Sequence, residues 1–143
     1  MMRSLIEEMD VGMEEVATAI VLFGHGSRVD DANEGVRTLA RHIEAAGPYH
    51  HVRAAFLELG QPDLVSAVDE AVNAGFQRVI VIPFFLTMGI HLRRDLPNLV
   101  APLKQKYPHV EIEVGQSLEG HPLMASIILG RVQEVIADLK AAR

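Results

Sequence analysis

The sequence predicts an α/β fold: an open, doubly wound parallel sheet of about four strands with helices on both faces. Three observations predict it. Short apolar runs rich in β-branched residues recur along the chain, and such runs suit strands buried on both faces. Between them lie stretches with apolar residues at i, i+3, i+4 and i+7, the spacing of a helix with one buried face. Glycine or proline marks most of the changeovers.

The first strand is expected at Thr18–Gly24, read as TAIVLFG. Asn33 is expected to cap the helix that follows, with Val36, Leu39, Ala40 and Ile43 inward and Gly47-Pro48 as its stop. The second strand is expected at His51–Leu59. Pro62 opens the next helix, with Leu64, Val65, Val68, Ala71 and Val72 inward and Gly75 beyond its end. The third strand is Arg78–Phe84, followed by a loop over Phe85–Arg94. Asp95 reads as the cap of a third helix, ending near Tyr107-Pro108. The fourth strand is Val110–Gly115. The last helix, about Pro122–Leu139, is expected to bury Met124, Ile127, Ile128, Val135 and Leu139. Alternation of strand and helix with right-handed crossovers, on the common doubly wound topology, gives the strand order 2-1-3-4.

Residues 1–17 read as an acidic extension without the apolar core of a signal peptide, and residues 18–143 as a single domain. The 143-residue chain carries a formal net charge of −6. That charge argues against nucleic acid as a partner, since phosphate contact needs a basic face. The longest apolar stretch, Val79–Ile90, is too short for a membrane span of ~20 residues. A soluble, cytoplasmic protein is expected. There is no cysteine, so a metal would be met by histidine, carboxylate, other oxygen donors or water.

Open parallel sheets bind ligands at the carboxyl ends of their strands, beside the point where winding reverses. With order 2-1-3-4 that point lies between strands 1 and 3. His25 follows strand 1, His91 lies in the loop after strand 3, and Glu58 lies near the end of strand 2. Strands stand about 4.8 Å apart, so the three are expected to converge as ligands of a borderline divalent metal. Gly24 and Gly26 around His25 allow close backbone approach. Arg28, Arg93 and Arg94 lie near the same edge and are candidates for holding substrate carboxylates. Of the seven histidines, His50, His51 and His109 fall at the opposite edge, His42 is off its helix's apolar face, and His121 is a reserve candidate. The dinucleotide fingerprint fails, because Val29 stands where its third glycine belongs. No Walker A pattern or G-x-S-x-G elbow is present. These residues leave several readings open: a metal-handling enzyme, a non-enzymatic metal carrier, a phosphoryl-transfer enzyme with His25 as nucleophile, or a response-regulator-like domain.

The stretches FGHGSRVDDANEG, AFLELGQPDL and VIVIPFFLTMGIHLRRDLP, together with SLEGHPLM, resemble the short sirohydrochlorin chelatases, the CbiX/SirB type of class II chelatase. H-G-S-R after strand 1 combined with G-x-H-x-x-x-D-x-P after strand 3 is the specific feature. The resemblance implies a chelatase-like (flavodoxin-like) fold. It implies insertion of Co²⁺ or Fe²⁺ into a sirohydrochlorin-type tetrapyrrole, toward cobalamin or siroheme. A related branch uses Ni²⁺. His25 and His91 match the family's metal-site histidines, and Glu58 its F-x-E glutamate. Leu86, Thr87, Met88, Gly89 and Ile90 match the segment that contacts the macrocycle, and Gln61 is a looser match. The implied metal is a substrate, with no permanent cofactor, and the short form implies a homodimer. On this reading His25 is the base and His91 the lasting ligand.

Overall fold

The computed structural model describes residues 16–143, so the acidic extension lies outside the described residues up to Glu15. Four strands, β1 (Thr18–Gly24), β2 (Val52–Phe56), β3 (Arg78–Pro83) and β4 (Glu111–Val114), form one parallel sheet in the order β2-β1-β3-β4. Four helices connect and follow them: α1 (Asp30–Ala46), α2 (Leu64–Asn73), α3 (Ile90–Lys106) and α4 (Met124–Ala141). Class, order and element count agree with the expectation. No helix among the described residues is long and apolar enough to cross a membrane.

The strands sort their side chains by the two-residue period of the pleat. Ala19, Val21, Phe23, Val79, Val81 and Ile112 point to one face and pack against α2 and α3 through Ala67, Val68, Ala71, Leu96, Val100 and Leu103. Leu22 and the half-buried Ile20 and Ile82 point to the other face, where α1 supplies Leu39, Ala40 and Ile43.

Several boundaries differ from the sequence reading. α1 begins at Asp30, with Val29 at the cap position and Asp30 and Asp31 in the first turn, where carboxylates favour the helix dipole. Asn33 is therefore inside the helix and caps nothing. β2 stops at Phe56, which puts Glu58 in a turn. Asp63 caps α2, its Oδ1 accepting from Ser66 N at 2.8 Å, and Val65 is exposed. The largest shift is in α3. Asp95-x-Pro97 looks like a cap followed by a first-turn proline, but Gly89 is the cap and both Pro97 and Pro102 lie within the helix. His91, Arg93 and Arg94 thus ride on a helix and not on a loop. α4 is the largest correction in packing. Ile127, Ile128, Val135 and Leu139 are exposed and no residue of α4 is buried. The apolar stripe is present, but no sheet of the same chain lies beneath it.

Candidate functional site

The backbone fixes His25 before any side chain contributes. Beyond Gly24, the turn after β2 continues pairing with the end of β1. Leu57 N donates to Gly24 O at 2.9 Å, and Glu58 N donates to His25 O at 3.1 Å. Gly26 makes that approach feasible. It has φ +93°, and a Cβ placed there would stand 1.6 Å from Glu58 O. Only glycine fits both demands.

The side chains of His25 and Glu58 meet as a result, with Nε2 and Oε1 3.8 Å apart and both side chains more than half exposed. His25 Nδ1 lies 3.3 Å from Gly26 O. A carbonyl only accepts, so this contact selects the tautomer with hydrogen on Nδ1. Nε2 then presents its lone pair beside the carboxylate.

Sequence reasoning missed Asn33 as part of this site. Its side chain is buried. Its Oδ1 accepts from Ser27 N at 2.8 Å, while its Nδ2 donates to Ser27 O and to Leu59 O, each at 2.9 Å. One amide thereby ties the loop carrying His25 to the turn carrying Glu58. It also holds Leu59, which has φ +56°, a conformation a branched residue rarely adopts. The signal in the sequence was a polar residue in the helix-entry motif, which equally suits a cap.

His91 stands in the first turn of α3, exposed at the same sheet edge. Its Nδ1 lies 3.0 Å from Arg94 Nη2. A guanidinium only donates, so Nδ1 accepts and the ring hydrogen sits on Nε2. Arg93 Nη2 donates to Glu119 Oε2 at 2.9 Å, and Met88 N donates to the same oxygen at 3.3 Å. The Met88 amide first, and Arg93 with it, hold the Glu119 carboxyl below its ordinary range.

The predicted residues fall into two neighbouring concavities. Arg28, Glu58 and Gln61 line a cleft of about 670 Å³ between the turns after β1 and β2. Met88 and Arg93 line a groove of about 700 Å³ between α3 and β4, with Glu119 on its rim. Leu86 and Ile90 are exposed, as are Thr87 and Gly89. With Val29, Leu57 and Leu59, they make the loop edge unusually apolar for a surface. His25 and Glu58 are brought together as expected. His91 does not join them in one ligand set: among the described residues, no group of three or more His, Cys, Asp or Glu stands close enough to hold a metal ion.

Comparison with known proteins identifies the family. The CbiX family model matches residues 19–135. The sirohydrochlorin cobaltochelatase of Methanopyrus kandleri is 28% identical over 140 residues, covering 84% of this chain and 98% of that protein. The chloroplastic sirohydrochlorin ferrochelatase of Arabidopsis thaliana is 27% identical over 124 residues, covering 87% of this chain and 55% of its own length. Among solved structures, the CbiX protein of Marinobacter aquaeolei superposes with a TM-score of 0.74 at 28% identity, over 85% of this chain and 98% of that one.

Proposed function

The chain belongs to the CbiX family, and from that premise we propose that it is a sirohydrochlorin chelatase, inserting a divalent metal ion into a sirohydrochlorin-type tetrapyrrole. The observation that carries the reading is the His25–Glu58 pair, a ring nitrogen lone pair 3.8 Å from a carboxylate at the open edge of the sheet.

Insertion exchanges two pyrrole N–H protons for one M²⁺. The chain must accept protons and hold the metal loosely enough to release it. Histidine suits both tasks because its pKa lies near neutrality. His25 Nε2 takes the two macrocycle protons in turn, releasing each to water, and the adjacent Glu58 carboxylate stabilises the imidazolium that forms each time. His91 presents the metal through Nδ1 once Arg94 lets go of that nitrogen. A histidine cannot be base and ligand through one lone pair, so the two rings divide the work. The apolar loop edge, Leu86 and Ile90 foremost, suits the flat body of the macrocycle. Arg28, with no partner among the described residues, is free to pair with its peripheral carboxylates.

Metal and tetrapyrrole are both substrates. The relatives' names include cobalto- and ferrochelatase, and histidine–carboxylate donors accept Co²⁺, Fe²⁺ and Ni²⁺ alike. Co²⁺ or Fe²⁺ insertion in the cytoplasm, by a homodimer serving cobalamin or siroheme synthesis, completes the proposal. The test is anaerobic metalation of sirohydrochlorin with each of the three ions, followed by visible absorbance. Multiple turnovers per chain are expected with Co²⁺ or Fe²⁺. A single stoichiometric burst would instead identify a carrier, and no acceleration with any ion would overturn the reading.

A further inference from the structure

Glu58 reaches His25 from a loop that leaves β2 and enters α2. Phe56 N donates to Pro62 O at 2.9 Å, and Phe56 pairs with Asp63 in an isolated bridge. Residues 57–62 are thereby closed into a loop at the edge of the sheet. On its first limb, Leu57 and Glu58 pair with the end of β1, and Asn33 holds Leu59 O. The second limb, Gly60–Gln61, lies against the buried ring of Phe56. A Cβ at Gly60 would stand 2.9 Å from Phe56 Cγ and Cδ2, closer than a side chain allows, so glycine is what lets this limb settle on the ring.

A cation from α1 reaches the second limb. Arg37 Nη2 donates to Gln61 O at 3.0 Å. Nη1 donates to Glu34 Oε2 at 3.1 Å and to Asp30 Oδ1 at 3.4 Å. The guanidinium carbon lies 5.4 Å from the centroid of the Phe56 ring, within the reach of cation–π attraction. The Arg37 side chain is only 26% exposed, so water and salt screen its contacts less than those of an open surface pair. Two carboxylates of its own helix orient the guanidinium and leave the other nitrogen for the loop. A planar fork can serve two directions in this way. The loop has need of the hold, because Leu59 at φ +56° keeps such a conformation only where its surroundings impose it.

We propose that Arg37 is a positioning residue for Glu58. It clamps the Gly60–Gln61 limb to α1, and the clamped loop keeps the Glu58 carboxylate beside His25 Nε2. Asn33 fixes the loop at its middle and Arg37 at its far limb. Arg37 takes no part in the chemistry itself, since its guanidinium nitrogens are directed to Asp30, Glu34 and Gln61 O. Its bearing on metalation rests on the chelatase reading; the clamp does not.

Arg37→Met keeps an unbranched apolar stem against Phe56 and removes the donors. Amide hydrogen exchange reads the clamp with no substrate present. In Arg37→Met, the Glu58 N–H, which donates to His25 O at 3.1 Å, should exchange about ten-fold faster, the loss expected for a hydrogen bond to a charged group. Amides within β1, Leu22 among them, should keep their native protection. Steady-state metalation reads the consequence. The kcat for Co²⁺ insertion into sirohydrochlorin should fall several-fold, with the KM for Co²⁺ unchanged. In Glu58→Gln protein, the further change Arg37→Met should lower kcat no more. Unchanged exchange at Glu58 would overturn the clamp even if kcat fell, since charge alone would then explain the loss. A rise shared equally by β1 would overturn it too, by marking a general loss of stability. Faster exchange with native kcat, a raised KM for Co²⁺, or losses that add in the double variant would overturn the positioning of Glu58. A native chain that fails to metalate would sink the chelatase reading alone, and the exchange data would still decide the clamp.

Discussion

His25 and His91 hold their ring protons on opposite nitrogens, each for a reason in its immediate surroundings. Gly26 O accepts from one ring, and Arg94 donates to the other. Both histidines stand at the carboxyl edge of the sheet, the edge that their positions in the sequence imply. The tautomers were not legible there, because they depend on which atom of a turn or helix neighbour comes within reach. The Arg94 contact has a measurable cost. Metal binding at His91 Nδ1 must first break a bond worth about 1 kcal/mol. Arg94→Ala should therefore tighten Co²⁺ binding roughly five-fold, by the same arithmetic, measured by calorimetric titration. The gain should vanish when His91→Ala is added. An unchanged or weakened affinity in Arg94→Ala would count against His91 as a metal ligand through Nδ1.

At the scale of elements, strand positions were readable and helix starts were less so. Apolar runs such as Thr18–Gly24 are buried on both faces and leave a continuous signal. A helix start rests on a single cap, and two candidates misled. Pro97 sits inside α3 while Asp95 imitates a cap before it. Asn33 looks like a cap and is a cross-brace between two loops. Side-chain burial decides between those roles, and burial depends on residues distant in sequence, Leu59 being the case in point. Asn33→Ala leaves Ser27 N and the carbonyls of Ser27 and Leu59 without this amide. It should cost about 2–4 kcal/mol, measured by urea denaturation. The metalation rate should fall as well, because His25 and Glu58 lose their common brace. A loss under about 0.5 kcal/mol, the range of ordinary surface substitutions, would refute the brace.

Across the whole molecule, the sheet order was foreseen, whereas the packing of α4 was not. A helical stripe marks an apolar face but does not say what lies against it. The opposite end of the sheet adds a pH dependence unrelated to the chemistry. His51 is buried beside Phe76, and its Nε2 has no hydrogen-bond partner among the described residues. Burial, assisted by Arg53, holds its imidazole below the ordinary value of 6.5. Below that pH the unfolded chain takes up a proton that the folded chain resists. Stability from this group is therefore complete above ~6.5 and is lost as pH falls toward the lowered folded value, at no more than about 1.4 kcal/mol per pH unit. Urea denaturation from about pH 7.5 to about pH 5.5 should show this slope, and His51→Leu should flatten it. An equal slope in both proteins would assign it to other groups.

The proposed chemistry rests on a division of labour at the carboxyl edge of the sheet. The most direct measurement is the steady-state rate of Co²⁺ insertion into sirohydrochlorin by the native chain, His25→Ala and His91→Ala, each checked for native fold. Removal of a proton acceptor should lower kcat by about 100-fold or more in His25→Ala, and His91→Ala should raise the KM for metal. Native rates in both variants would contradict the assignment of the site.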